Sequence, residues 1–158
     1  KLKKFMYYIS KSVPVKINFS DMARDLELSR DELPKYLEYL EKAELVSVLR
    51  MKANGDAILR KMDKLYLQNS NMSYVLSGEN PDTGNARETI FYCWTKQKYD
   101  TVESPVSDFE IDGKTFEVGG RNKGKKQISN LKDAYVVKDT LEYVFDNQVP
   151  LWMFGFLY

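Results

Sequence analysis

Three acidic residues stand out because of where they fall. Glu88 lies in a segment with helical spacing. Asp108 and Glu117 lie on the two arms of an alternating stretch, Ser107 to Gly119, folded about Asp112-Gly113. Apolar and polar residues alternating around an Asp-Gly pair predict a β-hairpin with a tight turn. Two hairpin carboxylates and a third from a helix form the kind of hard oxygen set that takes Mg²⁺ and holds it against a scissile phosphate. Asp108 and Glu117 are the candidate metal ligands, and Mg²⁺ is the one cofactor such a set suggests. Sites of this kind normally add a lysine two residues after the second acid, to stabilise the attacking hydroxide or the charge on phosphorus. That position here is Gly119. Lys123 or Lys125 would have to swing back to replace it, so the candidate catalytic set is Glu88, Asp108, Glu117 and Lys123.

The run Gly119-Gly-Arg-Asn-Lys-Gly-Lys-Lys126 carries four positive charges, no negative ones and three glycines. Such a loop suits phosphate, through backbone N–H groups and basic side chains. Arg121, Lys123, Lys125 and Lys126 are therefore candidate nucleic-acid contacts. A helix starting near Lys125 would add its N-terminus to that field.

Composition removes other chemistries. Histidine is absent, which excludes Ser-His and Cys-His nucleophile pairs and His-ligated metals. The single cysteine, Cys93, excludes an internal disulfide and any multi-Cys metal site, and fits a reducing, cytoplasmic setting. No GxxxxGK[ST] run occurs, so no P-loop lies in these residues. With 24 Lys+Arg against 23 Asp+Glu, the chain as a whole lacks the basic excess of a polyanion or membrane binder. Its longest nearly uncharged apolar stretch, Val149 to Tyr158, falls well short of the roughly 20 residues a membrane helix needs. The chain opens at Lys1 in what reads as a helix already under way, and is expected to be a piece of something larger.

The elements that must position these residues divide into two halves. Residues 1–69 hold 14 basic and 10 acidic side chains, and residues 70–158 hold 10 and 13. In the first half Leu2, Phe5, Met6 and Ile9 share a helical face. Ser20 is expected to open a second helix with Met22, Ala23 and Leu26 inward. Ser29 and Glu32 have capping-box spacing ahead of a third helix bearing Leu33, Tyr36, Leu37 and Leu40. Leu45–Met51 and Asp63–Leu67 then read as two strands about Asn54-Gly55. Helix–turn–helix plus hairpin predicts a winged helix over 1–69. Its third helix is net acidic, with Arg30, Lys35 and Lys42 against Asp31, Glu32, Glu38, Glu41 and Glu44, which opposes docking in a DNA groove. A structural or protein-contacting winged helix is the expectation, with the wing residues Arg50, Lys52, Arg60, Lys61 and Lys64 as the alternative, a duplex contact. In the second half, helices over 71–76 and 85–97, the hairpin, a helix over 125–131, a strand over 134–137 and a final apolar strand over 150–157 predict an α/β layer. The expected fold is α+β, with a winged helix packed on a small restriction-endonuclease-like domain over 70–158. The apolar tail is expected to be mainly core, with partner docking as the alternative.

A family resemblance follows from ordered stretches: Ser20-Asp-Met-Ala-Arg-Asp-Leu-Glu-Leu-Ser-Arg-Asp-Glu-Leu, Asp63 through Leu76, Ala86-Arg-Glu-Thr-Ile-Phe, Asp108 through Lys123, and Pro150-Leu-Trp-Met-Phe-Gly-Phe-Leu-Tyr. Together they resemble the C-terminal region of bacterial AAA-type ATPases, where a P-loop core is followed by a winged helix and an endonuclease-like domain of unknown function. The resemblance implies that Glu88 matches the helix acid, Asp108 the first hairpin acid and Glu117 the second, with Gly119 departing from the lysine. It implies the parent ATPase core as a partner, together with nucleic acid or a protein client. The expectation for this chain alone is a non-catalytic accessory or binding region. Its rivals are a Mg²⁺-dependent nuclease with a displaced lysine and a structural oligomerisation module.

Overall fold

The computed structural model describes residues 1–51, 63–78, 82–124 and 127–157. The fold is α+β. Its first part holds helices α1 (Leu2–Ser12), α2 (Phe19–Leu26) and α3 (Leu33–Lys42) with strands β1 (Val15–Lys16), β2 (Val46–Leu49) and β3 (Lys64–Leu67). The three strands form an antiparallel sheet in the order β1-β3-β2. Helices α4 (Asn71–Ser77) and α5 (Thr83–Thr95) follow. Then come β4 (Val102–Glu103), β5 (Phe109–Ile111), β6 (Lys114–Gly119), β7 (Ala134–Lys138) and β8 (Gln148–Pro150), in that order within one sheet. The chain closes on a 3-10 helix, Leu151–Phe156.

Helix starts differ from the expected ones in an instructive way. Asn18, not Ser20, caps α2: its Oδ1 accepts from the N–H groups of Ser20 and Asp21 at 3.1 and 3.3 Å. Ser29 and Glu32 do not form a capping box. Ser29 Oγ accepts from Asp31 N instead, and the helix begins only at Leu33, with Pro34 in its first turn. The turn at Asn54-Gly55 and the wing residues Lys52, Arg60 and Lys61 lie outside the described residues, as do Lys125 and Lys126.

Two cores meet along the β2–β3 ribbon. Val46, Val48, Leu65 and Leu67 join Phe5, Ile9, Met22, Leu33, Leu37 and Leu40 in the first. Leu49 and Tyr66, on the opposite face, join Phe91, Phe109, Phe116, Val118, Val137 and Leu151 in the second. Strand side chains alternate between faces, so one short ribbon feeds both. The ribbon also touches the larger sheet directly, since Glu103 N–H donates to Arg50 O at 2.9 Å.

The hairpin forms as expected. Asp112 and Gly113 both take positive φ, 50° and 77°, the conformation that a type I′ turn demands and that Asp-Gly supplies. After β6 the chain returns through residues 120–133 to lay β7 parallel to it. Two expectations fail nearby. Of the helix expected over 125–131, the described part Gln127–Leu131 forms turns instead, and of the strand expected over 150–157 only Pro150 lies in one, as the last residue of β8. The tail from Leu151 winds as a 3-10 helix because Leu151 and Phe154 then reach the core together while Trp152 and Phe156 stay at the surface. No helix among the described residues is long and apolar enough to cross a membrane.

Candidate functional site

Register brings the acids together. Phe109 of β5 faces Phe116 of β6, so Asp108 and Glu117 fall at the same end of the hairpin. Asp108 is fixed by the backbone: its Oδ2 accepts from Val118 N–H at 2.7 Å. Glu117 is only 1% exposed, which for a carboxylate requires nearby donors. Ser107 Oγ supplies one to Oε2, and Gln127, with its amide nitrogen turned inward, donates to the same atom at 3.0 Å. Lys123 supplies the charge, its Nζ lying 2.6 Å from Glu117 Oε1 and 3.9 Å from Asp108 Oδ2.

Lys123 reaches these acids because of two glycines and a turn. Its N–H donates to Gly120 O at 3.0 Å, closing a turn over Arg121 and Asn122 that sends the side chain back across Gly119. A Cβ on Gly119 would stand 2.5 Å from Lys123 Cγ, closer than real side chains approach, so the fold-back requires glycine there. One on Gly120 would press on the Arg87 guanidinium at 3.0 Å. Arg87 itself pairs with Asp139 at 2.6 Å.

Glu88 enters from α5, whose N-terminus is capped by Asp82 Oδ1 accepting from Asn85 N–H at 2.9 Å. Tyr66 OH donates to Glu88 Oε2 at 3.2 Å. Burial, with the neighbouring Asp108 charge, pushes the Glu88 carboxyl up to about 7, while Lys64, Tyr66 and Lys123 act the other way. Burial also raises Asp108, against the Val118 hydrogen bond, and Glu117 adds to the rise. For Lys123, burial opposes the charge, but Glu117, Asp108 and Glu88 outweigh it and hold the amine above its ordinary value.

Of the four expected residues, Asp108, Glu117 and Lys123 meet directly, and Glu88 lies near enough for the charges of Asp108 and Lys123 to act on it. Of the expected nucleic-acid contacts, Arg121 is exposed on the turn beside it, its carbonyl accepting from Lys138 Nζ at 3.4 Å. Sequence reasoning missed Tyr66, Ser107 and Gln127, and assigned Lys64 to the wing, whereas its charge acts on Glu88 and Asp108. Ser107 sits next to Asp108 at the hairpin mouth and was within reach of the pattern. Tyr66 lies 22 residues from Glu88 and carried no local signal.

A family model described as a domain of unknown function, DUF8612, matches residues 1–83. The chain belongs to that family. The match spans α1 to α4 and β1 to β3, so it includes Lys64 and Tyr66 and ends before Glu88, Asp108, Glu117 and Lys123. No curated protein and no solved structure matches the chain.

The donor set can be weighed for a metal. Among the described residues no three His, Cys, Asp or Glu side chains group as a metal-holding set. Mg²⁺, however, commonly takes only one or two protein carboxylates and fills its shell with waters and substrate phosphate. Glu117 is 1% exposed, with Oε1 paired to Lys123 and Oε2 accepting from Ser107, so Asp108 and Glu117 would take Mg²⁺ only with Lys123 drawn away from Oε1.

Proposed function

We propose that Glu88, Asp108, Glu117 and Lys123 form a phosphodiester-cleaving site of the metal-dependent nuclease type, with Lys123 standing in for the lysine absent at position 119. One observation carries the reading: Gly119 leaves open the space through which Lys123 folds back onto Glu117 and Asp108. In this reading Asp108 and Glu117 hold Mg²⁺, which when bound lowers the pKa of water and neutralises charge on the phosphate. Lys123, an ammonium at neutral pH, stabilises charge that develops as the phosphorus is attacked. Glu88, with its carboxyl near 7, is poised to accept a proton from water. Its hydrogen bond to Tyr66 fixes the carboxylate's direction. We read residues 1–69 as a winged helix, residues 70–158 as endonuclease-like, and the whole as the accessory region of an AAA-type ATPase, as the sequence resemblance implies.

The test is a Mg²⁺ or Mn²⁺ titration of the 158-residue chain with labelled single- and double-stranded DNA and RNA, read for binding and for cleavage. Metal-dependent cleavage that vanishes in both Asp108→Ala and Lys123→Ala supports the reading. Salt-sensitive binding with no cleavage overturns it in favour of a non-catalytic binding region. Cleavage unchanged in Asp108→Ala also overturns it, since the activity would then lie elsewhere.

A further inference from the structure

Strand β2 turns a hydroxyl toward the end of α5. Val46 and Val48 belong to the first core, so alternation puts Ser47 on the opposite face, with Leu49. Ser47 is buried, and its Oγ donates to Gln68 Oε1 at 2.7 Å. Tyr92 and Lys96 are four residues apart at the end of α5 and so meet on one side of it. Lys96 Nζ donates to both Ser47 Oγ and Gln68 Oε1 and stands 5.8 Å from the centre of the Tyr92 ring. These four side chains line a cavity of about 310 Å³, together with Glu41, Glu44 and Arg50.

The partners of Lys96 are neutral. Among the described residues no carboxylate pairs with it, and two uncharged oxygens hold its amine. An amine held in this way gives up a proton without breaking an ion pair. Burial lowers its titration below the ordinary lysine value, against the charges of Cys93, Glu44 and Glu41. A hydroxyl bonded to such an amine is the nucleophile–base pair of covalent catalysis, and Gln68 is the third group that orients the base. The arrangement needs no imidazole, so the absence of histidine leaves it intact.

We infer that Ser47 and Lys96 form a serine–lysine dyad for acyl transfer from small polar esters. The size of the cavity and the charged side chains in its wall set that substrate class. The neutral amine of Lys96 takes the proton of Ser47 Oγ as Oγ bonds to the acyl carbon. The bond from that carbon to the leaving oxygen then breaks, and the departing oxygen takes the proton from Lys96. Water, with Lys96 again as base, cleaves the Ser47 ester, releases a carboxylic acid and restores the hydroxyl. Arg50, held by Glu41 only at 3.8 Å, is the cation in the cavity wall that can meet the oxyanion. Neither Ser47 nor Lys96 belongs to the Glu88 cluster, so the dyad stands apart from the phosphodiester-site reading.

Two probes of the 158-residue chain test it. A small fluorophosphonate loses fluoride as the nucleophile bonds to phosphorus and leaves a stable adduct, expected on Ser47 by peptide mass spectrometry. Hydrolysis of p-nitrophenyl acetate reads acyl transfer. Ser47→Ala should abolish both signals. Lys96→Met, and Lys96→Arg with its charge kept but no base at neutral pH, should each slow both about 100-fold or more. Circular dichroism checks that each variant is folded. An unlabelled Ser47 in the parent overturns the dyad whatever the variants do. Hydrolysis unchanged in Ser47→Ala, or labelling as fast in Lys96→Arg as in the parent, overturns it as well.

Discussion

Lys123 stands in the space that a side chain on Gly119 would fill. A Cβ at position 119 would lie 2.5 Å from Lys123 Cγ and 2.6 Å from its Cβ. The two positions are therefore mutually exclusive as places for a lysine. A missing side chain at one and an inward amine at the other are a single structural arrangement.

Gly119→Ala is expected to force Lys123 away from Glu117 and to cost about 1–3 kcal/mol, the usual range for overpacking a filled space. Pairing it with Lys123→Ala should recover part of that cost, because the clash then has no partner. Urea denaturation of the two single variants and the double variant measures the coupling. Strict additivity would show that the two residues do not share space in solution.

Lys123→Ala alone leaves a buried carboxylate without its counter-charge. We expect a loss of roughly 1–3 kcal/mol at neutral pH, since the penalty of an unpaired polar group is felt in full only where water is shut out. Lys123 is about a third exposed, which keeps the figure below the range seen for fully buried pairs. Adding Glu117→Gln should restore stability, as the neutral amide still meets Ser107. Denaturation midpoints of the single and double variants decide the matter, and no recovery would place the cost elsewhere.

Glu88 makes stability depend on pH. Its carboxyl is held near 7 in the fold against an ordinary 4.5, so between those values the folded chain binds more protons than the unfolded one. Stability therefore falls as pH rises from about 4.5 to about 7, by an amount on the order of 3 kcal/mol if Glu88 alone is counted. Glu88→Gln should flatten that part of the profile. An unaltered slope in the variant would assign the proton uptake to another group. Cleavage that needs the Glu88 carboxylate should rise through the same pH range in the parent.

Tyr66→Phe removes the hydroxyl that donates to Glu88 and leaves the ring in place. Because that hydrogen bond favours the carboxylate, its loss should move the Glu88 titration upward, at a cost of about 1 kcal/mol in stability. Side-chain carboxyl NMR titration of parent and variant reads the shift directly. A downward move would mean that Tyr66 instead accepts from protonated Glu88.

What the chain announces in advance follows from the range of the forces involved. The Asp112-Gly113 turn, the helical faces around Phe5 and Leu37, and the hairpin placement of Asp108 and Glu117 are local patterns, and the structure realises them. Asn18 displaced Ser20 as a cap because several residues before a helix compete for that role. The Glu88–Tyr66 contact joins elements that only tertiary packing brings together. The tail from Leu151 has no polar alternation, and its one glycine, Gly155, sets no period, so the period came from the core it packs on. That Lys123 turns inward depends on the closed turn at Gly120, a geometric fact rather than a compositional one.

The alternation along β3 has a consequence for where this protein can be cut. Leu65 and Leu67 belong to one core and Tyr66 to the other, so the seam between the lobes runs lengthwise along a strand and not across the backbone. Ending the chain at residue 83, where the family match ends, would strip the cover from Leu49 and Tyr66 and leave an apolar stripe on an otherwise intact ribbon. Removing the first lobe would take away the phenol that steadies Glu88. The two lobes are therefore expected to melt in one transition, each completing a surface that the other begins.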